Sequence, residues 1–167
     1  MARKLRVRAG DVFSIEVDGS RRAYGQVVLK SHASFPLYVC IFRPSFDKLT
    51  APDIDAICEA EIALVGGTTD ARLYHGMWTI VGNRTPNLER VPRPYFTVGS
   101  GGRQVLEDFD GRILREATPQ EVTLYGNRWT RAPIAFENAI QALNGAGEWR
   151  ADFDRLTIAH SQERAQL

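Results

Sequence analysis

An α+β fold is what this 167-residue sequence predicts: a strongly bent, mostly antiparallel β-sheet, a partial barrel, with two or three short helices. Three observations carry that expectation. Apolar and polar residues alternate with period two early in the chain, Asp-Gly pairs sit where such runs reverse, and helix-start signals occur only from Thr50 onward.

Phe13, Ile15 and Val17 alternate with Ser14, Glu16 and Asp18, the period of a half-buried strand, and Asp18-Gly19 supplies the turn after it. Tyr24 to Leu29 has apolar residues on both parities, and Leu37 to Phe42 is apolar throughout. Both are expected as inner strands covered on two faces, the second bracketed by Pro36 and Pro44. Thr50-Ala51-Pro52-Asp53 reads as a helix start, with Thr50 at the cap, Pro52 where a missing N–H costs nothing, and Asp53 at the positive end of the helix dipole. Ile54, Ile57 and Cys58 give that short helix one apolar stripe.

Glu61 to Val65, ended by Gly66-Gly67, and Met77 to Val81, with Trp78 and Ile80 on one face, are expected strands. Residues 82 to 102 are punctuated by Gly82, Pro86, Pro92, Pro94, Gly99, Gly101 and Gly102, and read as a long loop with one short strand at Tyr95 to Val98. Val105 to Phe109 and Ile113-Leu114 form a hairpin around Asp110-Gly111. Thr118-Pro119-Gln120-Glu121 is a capping box. Phe136, Ala139, Ile140 and Leu143, at spacings of three and four, predict a helix from Pro133 to Asn144 that Gly145 stops. The polar stretch 159–167 is expected to fray. No repeat or linker divides the chain, so 1–167 is expected to be a single domain.

Charge and composition exclude several function classes. With 21 Lys and Arg against 20 Asp and Glu, the formal charge is +1, so neither a continuous cationic surface for nucleic acid nor an acidic polynucleotide mimic fits. The balance is uneven along the chain: residues 1 to 50 hold nine cations and four anions, or +5, which leaves −4 for the rest. Arginine supplies 18 of the cations. Cys40 and Cys58 are too few for a disulfide framework, and the basic start has no apolar run behind it; a reduced, cytoplasmic setting is the expectation.

The familiar catalytic constellations fail on spacing. Gly99-Ser100-Gly101-Gly102 lacks the Gly-x-Ser-x-Gly pattern, and no Gly-Lys-Ser/Thr precedes a helix. His32, His75 and His160 have no second ligand three or four residues away, so no metal is expected, nor any cofactor. Glu107, Asp108 and Asp110 stand close together, but the Asp-Gly turn explains Asp110 unaided. Asp53, Asp55, Glu59 and Glu61 favour a helix start and a solvated face over acid/base chemistry. Arg3, Lys4, Arg6 and Arg8 are placed to touch phosphate or to form a basic tail, and Tyr24, Tyr38, Trp78, Phe96 and Trp129 to line a pocket or fill the core.

Several motifs follow one another along the chain: Gly10-Asp11-Val12-Phe13-Ser14-Ile15, Tyr24-Gly25-Gln26-Val27, a third strand ending in Ile41-Phe42, and Gly76-Met77-Trp78-Thr79-Ile80-Val81-Gly82-Asn83. Their order resembles the immunity protein twenty-six family of bacterial polymorphic toxin systems. Pro94-Tyr95-Phe96, the Asp110-Gly111 hairpin and Trp129 follow in the same order, so that the resemblance extends over about residues 8 to 145. It implies a small cytoplasmic protein, not an enzyme, that binds a cognate toxin protein and blocks it by non-catalytic contact. Arg21 and Arg22 at the first hairpin, and Arg84, Arg90 and Arg93 in the long loop, are the candidate partner-binding residues. Two other classes compete. A small β-barrel-like nucleic-acid-binding module rests on the +5 N-terminal third. An enzyme would join His32 or His75 to Asp108 and an arginine across the fold.

Overall fold

The computed structural model describes residues 5–100 and 102–167; Arg3 and Lys4 of the basic start, and Gly101 of the glycine-rich turn, lie outside them. Among the described residues ten strands form two sheets. Strands β1 (Asp11–Glu16), β2 (Arg21–His32), β3 (Phe35–Phe42), β4 (Phe46–Asp47), β5 (Ile62–Thr68), β6 (Thr79–Asn83) and β10 (Thr130–Arg131) make the larger one. Its order is β10-β5-β3-β2-β1-β6, with β4 paired to the start of β2. Every pairing is antiparallel except β10 with β5. Strands β7 (Phe96–Ser100), β8 (Arg103–Glu107) and β9 (Ile113–Glu116) form a separate antiparallel meander.

The expected α+β class and mostly antiparallel sheet are present. Register shifts between Val12 and Phe13, Val27 and Leu29, and Ile41 and Phe42 bend the larger sheet, as extra residues in one strand of a pair do. It does not close into a barrel, since its end strands β10 and β6 are not paired with each other. Helices are more numerous than two or three. Among the described residues α1 (Ile54–Glu59), α2 (Ala71–Tyr74), α3 (Pro119–Tyr125), α4 (Pro133–Leu143) and α5 (Ile158–Glu163) are accompanied by 3-10 turns at Leu88–Arg90 and Ala151–Leu156.

Both faces of the larger sheet are covered, which is why β2 and β3 are apolar on both parities. On one face Phe13, Ile15, Val27, Val39 and Ile41 pack under Phe136, Ala139 and Ile140 of α4. Trp78 lies there too, its ring stacked on Phe13 at 4.8 Å and 6°. Its Nε1 donates to Glu137 Oε2 at 3.0 Å, and Arg72 holds the same carboxylate oxygen at 3.3 Å. On the other face Val12, Tyr24, Val28, Tyr38 and Cys40 meet Ile57 of α1, Phe96 of β7 and Phe109 from the turn between β8 and β9. Gly25 permits the packing on the α4 face: a Cβ there would stand 2.5 Å from the Phe13 ring and 2.6 Å from Ile41.

Three expectations need correcting. The cap of α1 is Asp53, which accepts from the Ala56 amide at 3.1 Å, rather than Thr50; residues 51–53 are not helical. Strand β5 continues through Gly66-Gly67 instead of ending there, because the Phe35 ring lies where a Cβ of Gly67 would go. The segment 159–167 does not fray at its start: α5 is capped by Thr157, buries Ser161 and Arg164, and the Arg164 carbonyl accepts from the Tyr95 amide at 2.8 Å. No apolar periodicity announces α5 because polar side chains and the backbone dock it.

Candidate functional site

Residues of the shared motifs come together, but as structure. Gln26, buried in β2, donates through Nε2 to the Arg84 carbonyl at 2.6 Å. Asn83 donates through Nδ2 to Asp11 Oδ1 at 2.9 Å, and Asp11 Oδ2 accepts from the Arg8 amide at 2.7 Å. This knot of polar groups ties β1, β2 and β6 around Gly10, whose φ of +90° needs glycine. Gly82 lets Ile54 of α1 approach, since a Cβ there would lie 2.8 Å from that side chain.

The five candidate arginines do not form one patch. Arg21 is held by Asp18 at 2.7 Å and donates to the Asn144 carbonyl at 3.0 Å, beyond the last turn of α4. Arg84 pairs with Glu59 at 2.5 Å, and Arg90 donates to the carbonyls of Cys58 and Ala60 at 2.7 and 2.5 Å. These two clamp the C-terminal end of α1. Arg22, half-buried, and Arg93, exposed, have no charged or hydrogen-bonding side-chain partner among the described residues.

Histidine and carboxylate positions resolve in another way. His32 reaches Asp110 at 2.9 Å and stacks on Phe109, whereas Asp108 accepts the Arg112 amide at 2.8 Å inside the Asp-Gly turn. His75 packs against Tyr74 alone of the aromatic rings. Cys40 and Cys58 are buried and not bonded to each other; burial pushes the Cys40 thiol up to about 12 and raises the Cys58 thiol as well. Among the described residues no group of three or more His, Cys, Asp or Glu is arranged to hold a metal, and no helix is long and apolar enough to cross a membrane. The aromatic residues divide: Tyr24, Tyr38, Trp78 and Phe96 are core, but Trp129 is 48% exposed.

Trp129 marks a cavity of about 330 Å³ between β5, α3, α5 and the 3-10 turn at Ala151–Leu156. Phe35, Tyr38, Phe96 and Phe136 form its apolar wall, and Arg131, Arg155, Arg164 and His160 line it as well. Among the described residues no aspartate or glutamate does. Burial, reinforced by Arg164 and Arg155, holds the His160 imidazole below its ordinary value and so neutral at neutral pH. A fourth arginine, Arg128, belongs to the scaffold beside the cavity. It lies between the rings of Phe35 and Phe96, 4.8 and 4.3 Å from their centroids, and pairs with Glu107 at 2.8 Å.

The family model described as Immunity protein 26 matches residues 8–104 of the chain. That match takes in the larger sheet apart from β10, together with β7, and ends in β8, before the Asp110-Gly111 hairpin, Trp129 and α4. No curated protein and no solved structure matches the chain.

Proposed function

From the immunity protein 26 family, to which this chain belongs, we propose that it neutralises a cognate bacterial toxin by binding it, without catalysis and in the cytoplasm of the producing cell. The observation that carries this reading is the extent of the family match, which includes nearly every strand of the larger sheet and the polar knot at Gly10. A frame buried on both faces and tied at its motif residues suits recognition by a preformed surface, because little ordering accompanies binding. Both broad faces of the larger sheet are covered by helices or by the smaller sheet, so no open strand face with stacking aromatics favours the nucleic-acid reading.

Arg22 and Arg93 are the proposed contacts among the five candidate arginines, since Arg21, Arg84 and Arg90 already hold neighbouring groups. Co-expression with the product of the adjacent gene tests the function. Growth should be restored by the wild-type chain, and the two proteins should co-purify. Persistent toxicity with no complex contradicts the reading. Reversal of Arg22 and Arg93 to glutamate should weaken the complex without lowering the unfolding midpoint; unchanged affinity would remove those two residues from the interface.

A further inference from the structure

The cavity beside Trp129 has a charge pattern that the fold does not use. Arg131, Arg155 and Arg164 approach it from β10, from the 3-10 turn and from the end of α5, and no carboxylate lines it. None of the three has an ion-pair partner among the described residues, whereas Arg21, Arg72, Arg84, Arg115 and Arg128 elsewhere are all paired. Arg164 is the deepest. It is 9% exposed, and its Nε and Nη2 are buried without a hydrogen-bond acceptor. A buried cation with free donors is costly unless an anion meets it.

Aromatic rings hold these guanidinium groups. Arg131 and Arg155 stand 4.9 and 5.5 Å from the Trp129 ring centroid, and Arg164 stands 5.1 Å from that of Phe96. Such contacts steady the planes of the guanidinium groups while consuming none of their N–H donors. Phe35, Phe136 and Leu124 supply an apolar strip of the remaining wall, beside the polar Thr123, Asn127, His160 and Ser161.

We propose that this cavity is a binding site for a small organic oxyanion, a carboxylate or phosphate carried on an apolar or aromatic body. The oxyanion meets the N–H edges of Arg131, Arg155 and Arg164, and the body lies along Trp129 and the apolar wall. The site lies outside the segment shared with the family, apart from Phe35, Tyr38, the β5 residues and the Pro94 to Phe96 strip of its wall. It stands independently of toxin binding.

The test uses the purified full chain and three probes, benzoate, phenyl phosphate and inorganic phosphate, followed by calorimetry. Benzoate and phenyl phosphate should bind saturably at one site, with inorganic phosphate weaker because it leaves the apolar wall unused. Arg131→Gln and Arg155→Gln should each weaken phenyl phosphate by about tenfold or more, the loss of a charge-assisted contact. Arg164→Met should abolish binding while raising the melting temperature of the ligand-free protein, a pair of opposite effects that a purely structural arginine does not give. The proposal is overturned if neither aryl probe binds saturably, or if the glutamine variants bind as well as wild type. It is also overturned if Arg164→Met melts lower and retains binding, or if inorganic phosphate binds as tightly as phenyl phosphate.

Discussion

Around the larger sheet, Arg21 sits on Asp18, Arg72 on Glu137 and Arg84 on Glu59, while Arg22 of β2 stands without a charged or hydrogen-bonding side-chain partner among the described residues. Beside the smaller sheet Arg115 and Arg128 are matched in the same way, yet Arg131, Arg155 and Arg164 crowd a cavity without any carboxylate. Apolar groups follow the same division. Strand β3 buries seven of its eight residues and β2 its central six, Ala23 to Val28, whereas all four residues of β9 are exposed, Ile113 at 70%. The family match covers the first region and stops inside the second. Satisfied, buried groups are what a shared frame requires; unsatisfied and exposed ones are where a protein meets ligands.

Substitutions on the two sides should separate these roles. Trp78→Ala should have the largest effect, about 3–5 kcal/mol in urea unfolding, because it removes a fully buried ring and takes a donor from Glu137. Loss of well under 1 kcal/mol would mean that the larger sheet does not depend on the Trp78 and Phe13 stack. Arg128→Met should cost about 3 kcal/mol by leaving Glu107 unpaired in a nearly buried setting. Hydrogen exchange read residue by residue sharpens the contrast: amides of β7 and β8 should lose protection before those of β2 and β3. Equal loss in both sheets would show one cooperative unit instead.

A smaller effect should appear in acid. Arg115 and the Thr118 amide hold the Glu121 carboxyl near about 2 rather than its ordinary 4.5. Because the folded value is depressed, its contribution is complete above 4.5 and is lost as pH falls toward about 2. Protection of α3 should decline through that window, and Glu121→Gln should abolish the dependence; an unchanged acid profile in the variant would exclude the capping box as its source. Smallest of all, Ile113→Lys on the exposed strand should shift stability by no more than about 0.5 kcal/mol by thermal melting. A larger loss would mean that β9 packs more than its exposure indicates.

How much of this was legible in the sequence depended on whether the relevant bonds were local. Strands β1, β2 and β3 follow from apolar alternation and apolar runs, and the Thr118 capping box and α4 follow from spacing along a single helix. The two-residue strands β4 and β10 have no such signature, since their hydrogen bonds go to distant partners. The one-turn helix α2 lacks a side-chain cap, and α5 docks through Ser161, Arg164 and backbone groups. The cavity was half legible. Tyr38, Phe96 and Trp129 stood out as aromatic candidates, while Tyr24 and Trp78 proved to be core. Its cations come from three separate segments with no common spacing, and nothing short of the fold brings them together.

Titration of purified toxin with this chain tests most directly whether neutralisation is by binding. Toxin activity should fall in proportion to added protein, reach its floor at molar equivalence, and return when the complex is dissociated. Progressive inactivation by much less than an equivalent of the chain, with no recovery on separation, would contradict the claim and assign the protein a catalytic role.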